Sequence, residues 1–269
     1  MTMPSLLRKY RFLIGAFYKQ DSQLLLSLVP RYLWAIFICM IYRFIFQAAL
    51  SGKAVHVDQY TLPFPIFLIS GIASVRLLVF SLRIFEDTLA NIRKNIPLAE
   101  LLMTPTSLWE IMLAHTAWKG FLSVNELIAV LISSKILLNI PLMPFAHPAV
   151  IASGVLIVLS YAGMGMMVSA ANLFIKKADP VFALLNQFST AFCGVFFPVA
   201  FFPAFIQALC FFFPLTHSLK IVRLSLAGAS FGDMVPATTA LLSITVFFVL
   251  TGTVFLHKSI LWAKKNGKL

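Results

Sequence analysis

The chain has 269 residues, of which 60% are hydrophobic and only 11% carry a charge, and its formal net charge is +12. This composition excludes an ordinary soluble domain and indicates a membrane protein with several spans of about 20 apolar residues each. The positive charge of such a protein is typical of anchors that fix its orientation in the bilayer, so no nucleic-acid partner is predicted.

Residues 1–29 carry apolar and basic side chains on opposite helical faces, which predicts an amphipathic helix lying at the membrane interface. Six apolar stretches follow, and each predicts a membrane-spanning helix. Lysine and arginine collect at both termini and after the second and fourth stretches, which places both termini in the cytoplasm. The sequence therefore predicts an all-α polytopic membrane protein. Its predicted spans are residues 30–50, 62–82, 111–138, 149–174, 181–197 and 236–260.

A polar segment, residues 83–109, separates the second and third spans. It is too polar to cross a membrane and too long for a tight turn. Residues 86–94 and 98–103 predict two short helices, with Pro97 between them and Pro105 after them. A short helix at the cytoplasmic end of two spans is typical of a lever moved by a partner. An interfacial loop without a partner is the alternative.

Residues 192–223 are mostly apolar but fit neither one span nor two. As one helix they would extend about 47 Å across a hydrocarbon core of about 30 Å, and two spans with a turn need roughly 40 residues. Pro198, Pro203 and Pro214 also interrupt any regular helix there. We therefore expect a re-entrant helical hairpin, residues 198–226, that enters from the outer side. It should line a pathway, because broken backbone at membrane depth must be satisfied by protein or water.

The strongest chemical signal is charge inside the predicted spans, because such residues are costly in lipid and normally face the bundle interior or water. They predict either a polar path or gate, or a structural ion pair between Arg76 and Glu126. The sequence contains no catalytic motif, no metal-ligand spacing and no phosphate-cradling G-x-x-x-x-G-K-[ST]. The intramembrane polar residues are Arg76, His115, Lys119 and Glu126.

A proton-coupled secondary transporter is the alternative function, with Glu126 and His115 carrying the proton. Secondary transporters often contain two repeats with paired broken helices. This chain has a single broken segment, which argues against that interpretation.

Two stretches of the sequence resemble one family of membrane proteins. The first, residues 99–107, contains the pattern E-x-L-L-x-T-P. The second combines Phe-Pro at 197–198 and 202–203 with Pro-Leu-Thr-His-Ser at 214–218 and with Arg223. This layout resembles the membrane subunit of type-2 ABC exporters (ABC-2 permeases) over nearly the whole chain, as a single transmembrane domain, residues 1–269. It is most similar to the nodulation-type lipo-oligosaccharide and drug export permeases.

The resemblance implies a homodimer bound to two copies of a separate ABC ATPase subunit, which holds ATP and Mg²⁺ while this chain binds no cofactor. It implies export of an amphipathic substrate, such as a glycolipid, lipo-oligosaccharide, polysaccharide or drug, across the inner membrane of a bacterium. The glycine that the family commonly has in its coupling segment is missing from Glu86-Asp87-Thr88. The docking contact there is therefore expected to differ.

Three groups of residues carry these expectations. Coupling to the ATPase is assigned to Glu86, Asp87, Arg93, Lys94, Glu100, Leu101 and Leu102. The translocation path or gate is assigned to Arg76, His115, Lys119 and Glu126. The re-entrant hairpin is assigned to Pro198, Pro203, Pro214, His217 and Arg223.

Overall fold

The structure is a computed structural model that describes residues 24–41, 43–44, 54–57, 60–95, 108–175 and 179–265. Three predicted features fall partly outside these ranges, and one of them is the predicted first span, whose residues 42 and 45–50 are not described. Of the predicted interface helix, residues 1–23 lie outside the described residues, and so does the second half of the predicted lever, with Glu100, Leu101 and Leu102.

Helices make up nearly all of the described chain, and the one sheet among these residues is a two-stranded antiparallel hairpin. Short 3₁₀ turns lie at Met143–Ala146 and Val199–Phe201. The strands are β1 (Ala54–Val57) and β2 (Tyr60–Pro63). The helices are α1 (Leu24–Ile41), α2 (Phe64–Asn95), α3 (Leu108–Leu138), α4 (Pro148–Ile175), α5 (Asp179–Phe192), α6 (Ala204–Phe211), α7 (Pro214–Leu226) and α8 (Phe231–Lys265).

Within the described ranges, the four helices α2, α3, α4 and α8 are long and apolar enough to cross a membrane. The bent pair α6 and α7 raises the number to 5 if it counts as one broken span. These helices cover the predicted second, third, fourth and sixth spans. The apolar part of α1, Leu28–Ile41, is shorter.

The predicted fifth span ends earlier than expected. Its helix, α5, stops at Phe192 rather than continuing to residue 197. Gly194 then takes a φ of +93°, a left-handed conformation that glycine adopts without steric cost. A helix of 14 residues is about 21 Å long, which is less than the hydrocarbon thickness.

Helix α2 lies at the centre of the bundle and packs against α3, α4, α5 and α7. Helix α4 packs between α2 and α8 at positions where its glycines leave room for the neighbouring backbone. A Cβ atom on Gly163 would lie 2.5 Å from the carbonyl carbon of Phe248 on α8. One on Gly165 would collide with the carbonyl oxygen of Leu82 on α2. These small residues permit the close helix contacts that stabilise bundles in lipid.

The β-hairpin, which the sequence analysis treated only as a polar loop, packs at one end of the bundle. Tyr60 on β2 donates a 3.0 Å hydrogen bond to the Asp233 carboxylate in the first turn of α8. The same carboxylate accepts bonds from the backbone and hydroxyl groups of Ser230, at 3.2 and 2.7 Å. Ser230 and Asp233 together cap α8 and fix the β-hairpin to it. We call this end of the molecule the β-hairpin end.

Candidate functional site

Four side chains from three helices form a charge cluster. The Glu126 carboxylate of α3 lies 2.7 Å from an Nη atom of Arg31 on α1 and 3.9 Å from an Nη atom of Arg76 on α2. The Arg76 guanidinium stacks on the Trp34 ring of α1, 3.1 Å from its centroid. Arg31, Trp34, Arg76 and Glu126 are called the charge cluster below. The structure brings Arg76 and Glu126 together, as the ion-pair hypothesis predicts, but the shorter contact of Glu126 is with Arg31.

Sequence reasoning missed the part that Arg31 and Trp34 play in this cluster. Arg31 was expected to be a topological anchor at the membrane surface. The local signal was present, because an arginine followed three residues later by tryptophan within an apolar stretch places both on one helical face. Their partners on α2 and α3 are distant in sequence, and no local pattern identifies them.

The cluster lies at membrane depth by helix geometry. Arg76 follows Phe64, the first residue of α2, by twelve residues, and Glu126 precedes Leu138, the last residue of α3, by the same number. Phe64 and Leu138 pack in one hydrophobic core at the β-hairpin end. At 1.5 Å per residue the cluster is therefore about 18 Å from that end. In a hydrocarbon core of about 30 Å it lies about 12 Å from the opposite surface.

A cavity of about 240 Å³ lies beside the cluster. Both arginines, Trp34 and Glu126 line it, and the remaining walls are apolar or small. The side chains of Arg31, Arg76 and Glu126 are 31%, 21% and 22% exposed. The cluster is therefore partly accessible, and it is not sealed in the interior. The remaining lining residues are Pro30, Ala35 and Val130.

The other predicted path residues do not belong to the cluster. His115 is buried and its Nδ1 lies 2.7 Å from the Thr88 hydroxyl of α2. The hydroxyl also donates to the Ile84 carbonyl at 2.6 Å, so the geometry assigns the proton of the imidazole contact to Nδ1. Lys119, which was expected to share a face with Glu126, is not one of the two ion-pair partners that the structure gives that carboxylate.

The predicted lever begins as a continuation of α2. Residues 86–94 do not form a separate short helix, because α2 runs without a break from Phe64 to Asn95 and includes Arg93 and Lys94. A helix of 32 residues is about 48 Å long, so its last turns extend beyond a hydrocarbon core of about 30 Å. Near that boundary the amide of Asn172 on α4 donates to the Glu86 carboxylate, and Asp87 is exposed.

The predicted prolines lie at the breaks of the segment between α5 and α8. Pro198 precedes the 3₁₀ turn, Pro203 precedes α6, and Pro214 is the first residue of α7. Proline suits these positions because a helix start needs no backbone donor and has the φ that proline already holds. Helices α6 and α7 meet at an angle of 88°. We call this junction the α6–α7 corner.

Side chains that follow Pro214 stabilise the corner by binding the last carbonyl groups of α6. Thr216 donates a 2.8 Å bond to the Cys210 carbonyl, and His217 Nε2 donates a bond of the same length to the Phe211 carbonyl. His217 also meets the Phe211 ring edge-on at 4.9 Å. The Pro-Leu-Thr-His-Ser sequence thus starts one helix and binds the last carbonyl groups of the preceding one, of which the Cys210 carbonyl also accepts a 3.1 Å bond from the backbone N–H of Phe213.

Replacing Thr216 with valine is expected to lower the free energy of unfolding by about 1 kcal/mol, because it removes the hydrogen bond to Cys210 and keeps the side-chain shape. Thermal unfolding in detergent measures the change. Thr239→Val is the matched control, since its hydroxyl binds the Pro236 carbonyl on an exposed part of α8. Equal effects of the two substitutions would contradict a special role of Thr216 at the corner.

Arg223 anchors α7 to the centre of the bundle. Its side chain is only 5% exposed. Nη2 donates to the carbonyl groups of Phe67 and Val195 at 3.2 and 3.3 Å, and Nε lies 3.4 Å from the Ser70 hydroxyl. The guanidinium also stacks over the Phe67 ring at 3.4 Å. One side chain therefore joins α7, α2 and the turn that follows α5.

An apolar groove of about 390 Å³ opens between α3 and α4. The two helices are consecutive in the chain, and both pack against α2, which forms the floor. The groove contains Ser70, Ser74 and Ser218, and each of these hydroxyls already donates to a backbone carbonyl. The walls therefore present mainly apolar surface. Representative lining residues are Leu77, Leu127, Leu131, Ile151, Val155 and Val222.

Comparison with known proteins agrees with this architecture. The family model described as ABC-2 type transporter matches residues 13–227, from the amino-terminal segment to the turn after α7. A search of curated proteins found no match. Proteins of this family form the membrane permease part of ABC transporters and are not themselves the catalytic subunit. Because the match covers well over half of the sequence, the chain belongs to the ABC-2 type transporter family.

Proposed function

We propose that this chain is the permease subunit of an ATP-driven exporter that moves an amphipathic substrate across the cytoplasmic membrane of a bacterium. The observation that carries the proposal is the family match over residues 13–227. The sequence also lacks a G-x-x-x-x-G-K-[ST] loop, so the ATP and Mg²⁺ belong on a separate ABC ATPase subunit. Two copies of this chain with two ATPase subunits form the proposed complex.

The direction of coupling follows from the two ends of the bundle. In the proposed orientation, both termini and the Asn95 end of α2 are cytoplasmic, in agreement with the distribution of lysine and arginine. The ATPase would bind the segment from Glu86 to Leu102, and α2 would carry its movement into the bundle. Helix α2 suits this role because it contacts the helices that line the groove and the corner.

The substrate class follows from the surfaces that the proposed path offers. An apolar groove accommodates acyl chains, and the charge cluster accommodates a polar or charged head. A glycolipid, lipo-oligosaccharide, polysaccharide or drug would leave past the re-entrant hairpin, with six spans and an interface helix completing the bundle. The nodulation-type specificity expected from the Pro-Leu-Thr-His-Ser sequence remains a prediction.

A proton-coupled mechanism receives no support from the described geometry. Its two proposed carriers, His115 and Glu126, are eleven residues apart on α3, which corresponds to about 16 Å along the helix. His115 is bonded to Thr88 and Glu126 to Arg31. A direct proton transfer between them would need a chain of intervening groups.

Replacing Leu101 and Leu102 together with aspartate is expected to weaken capture of the ATPase strongly, because two charges on an apolar docking surface remain unpaired when water is excluded. The experiment purifies the tagged chain from its native host in mild detergent. The native chain should co-purify with an ABC ATPase and hydrolyse ATP, whereas the double variant should elute as a folded protein with about tenfold less bound ATPase.

Leu101→Ile with Leu102→Ile is the control, since it keeps the apolar surface. If the aspartate variant captured as much ATPase as the native chain does, the coupling segment would be placed wrongly. If the native chain itself retains no P-loop ATPase, the proposed function is wrong.

A further inference from the structure

We propose that the cavity beside the charge cluster binds the anionic, phosphate-bearing head of an amphipathic molecule, held by Arg31 and Arg76. The binding follows from the geometry of the described residues. Its consequence, that the exported amphipath is anionic, rests on the proposed function. A negative charge is thereby added to a substrate class that was defined only by its amphipathic character.

The charges of the cluster do not balance. Among the described residues, two guanidinium groups share one carboxylate, which leaves a formal charge of +1 at a depth where uncompensated charge is costly. The carboxylate is also unequally shared, because it lies 2.7 Å from Arg31 and 3.9 Å from Arg76. An anion in the adjoining cavity would supply the missing charge.

The hydrogen-bond donors of Arg76 also favour an anionic ligand. Within the described part of the chain, its contacts are the long ion pair with Glu126 and the stack on Trp34. Stacking occupies a face of the guanidinium and leaves the N–H groups, which lie in its plane, directed outward. Arginine forms paired hydrogen bonds with phosphate through this planar fork. The cavity is the space beside Arg76 that such a group can occupy.

The position of the cluster bears on the route of the ligand. The arginine side chains are partly exposed at the surface that α1, α2 and α3 form around the cavity. At a depth of about 12 Å from the nearer membrane surface, the medium around such a helix bundle is hydrocarbon rather than water. A ligand that reaches the cluster laterally must carry acyl chains, and basic pockets between membrane helices are known to bind lipid head groups. The geometry therefore favours an amphipathic anion over a free one.

Isothermal titration of the full-length chain in neutral detergent tests the proposal. The probes are short-chain phosphatidic acid, phosphatidylcholine of the same chain length, and inorganic phosphate. We expect saturable binding of phosphatidic acid that Arg76→Gln weakens about tenfold and Arg31→Gln weakens several-fold. Glu126→Gln should strengthen binding several-fold, because it removes the competing carboxylate. This increase is a change that a merely structural cluster would not produce.

Lys135→Gln is the control, since it removes an exposed cation from the same helix at the β-hairpin end, and its affinity should match that of the native chain. Equal affinities of the Arg76→Gln, Arg31→Gln and control variants would overturn the site. Binding of phosphatidylcholine as tight as that of phosphatidic acid would overturn the anionic preference. Binding of inorganic phosphate without phosphatidic acid would overturn the amphipathic assignment. Because no ATPase is present, these results are independent of the test of the proposed function.

If Arg76→Gln does not elute as a monodisperse protein, Arg31→Gln and Glu126→Gln decide the question, because the proposal requires them to shift the affinity in opposite directions.

Discussion

Replacing Arg223 with alanine is expected to lower the free energy of unfolding by about 3 kcal/mol or more. The change leaves a cavity where a side chain that is 5% exposed had packed on the Phe67 ring. It also leaves the Val195 carbonyl without its guanidinium donor. The Phe67 carbonyl is affected less, because it is also an acceptor of the Ser70 hydroxyl.

A series of substitutions at this position separates packing from hydrogen bonding. Arg223→Met fills most of the volume and relieves the cost of burying a charge, so it should recover part of the lost stability. Arg223→Lys keeps the charge but lacks the planar fork that binds two carbonyl groups at once. Thermal unfolding in detergent and ATP hydrolysis by the assembled complex are the two measurements.

Arg43→Ala is the control, because Arg43 also donates to a backbone carbonyl, that of Leu137, but is exposed. It should cost no more than about 0.5 kcal/mol. The anchoring role would be contradicted if Arg223→Ala stayed within that same range. If the Arg223→Ala variant kept the native stability but lost ATP hydrolysis, Arg223 would instead act in the conformational change of the transporter.

The breaks between α5 and α7 could be predicted from sequence because proline acts locally. Pro198, Pro203 and Pro214 remove donors and fix φ wherever they occur, and the structure has a helix or turn starting at each. The membrane helices α2, α3, α4 and α8 could also be predicted, because the length of an apolar stretch is a property of that stretch alone. In each case the deciding interaction lies within a few residues along the chain.

The predictions that failed depended on contacts between distant residues. Arg31 meets Glu126 across 95 positions of sequence, and Arg223 meets Phe67 across 156. An arginine near a predicted helix end has the same local pattern whether it anchors the helix at the surface or binds inside the bundle. The early end of α5 was missed for a related reason, because whether Gly194 ends the helix depends on what the chain packs against. The pairing of β1 with β2 is local, but strand formation also depends on the surface that the strands pack against.

Replacing Glu126 with glutamine is expected to lower the free energy of unfolding by about 2 kcal/mol, because two guanidinium groups then face each other at membrane depth without a counter-charge. This loss of stability is smaller than that of a fully buried ion pair, because all three side chains are partly exposed. Removing one of the two arginines as well should recover most of the lost stability. A double-mutant cycle with Arg31→Gln should give a larger coupling energy than one with Arg76→Gln, since the contacts are 2.7 and 3.9 Å.

The same double variants separate a structural ion pair from a gate. In a structural pair, Glu126→Gln with Arg31→Gln should recover both thermal stability and ATP hydrolysis by the complex, because only the balance of charge matters. In a gate, stability should return while ATP hydrolysis stays low, because the contact itself must form and break during each cycle. Stability of the single Glu126→Gln variant equal to that of the native chain would contradict both roles, since either one requires the carboxylate to neutralise the arginines.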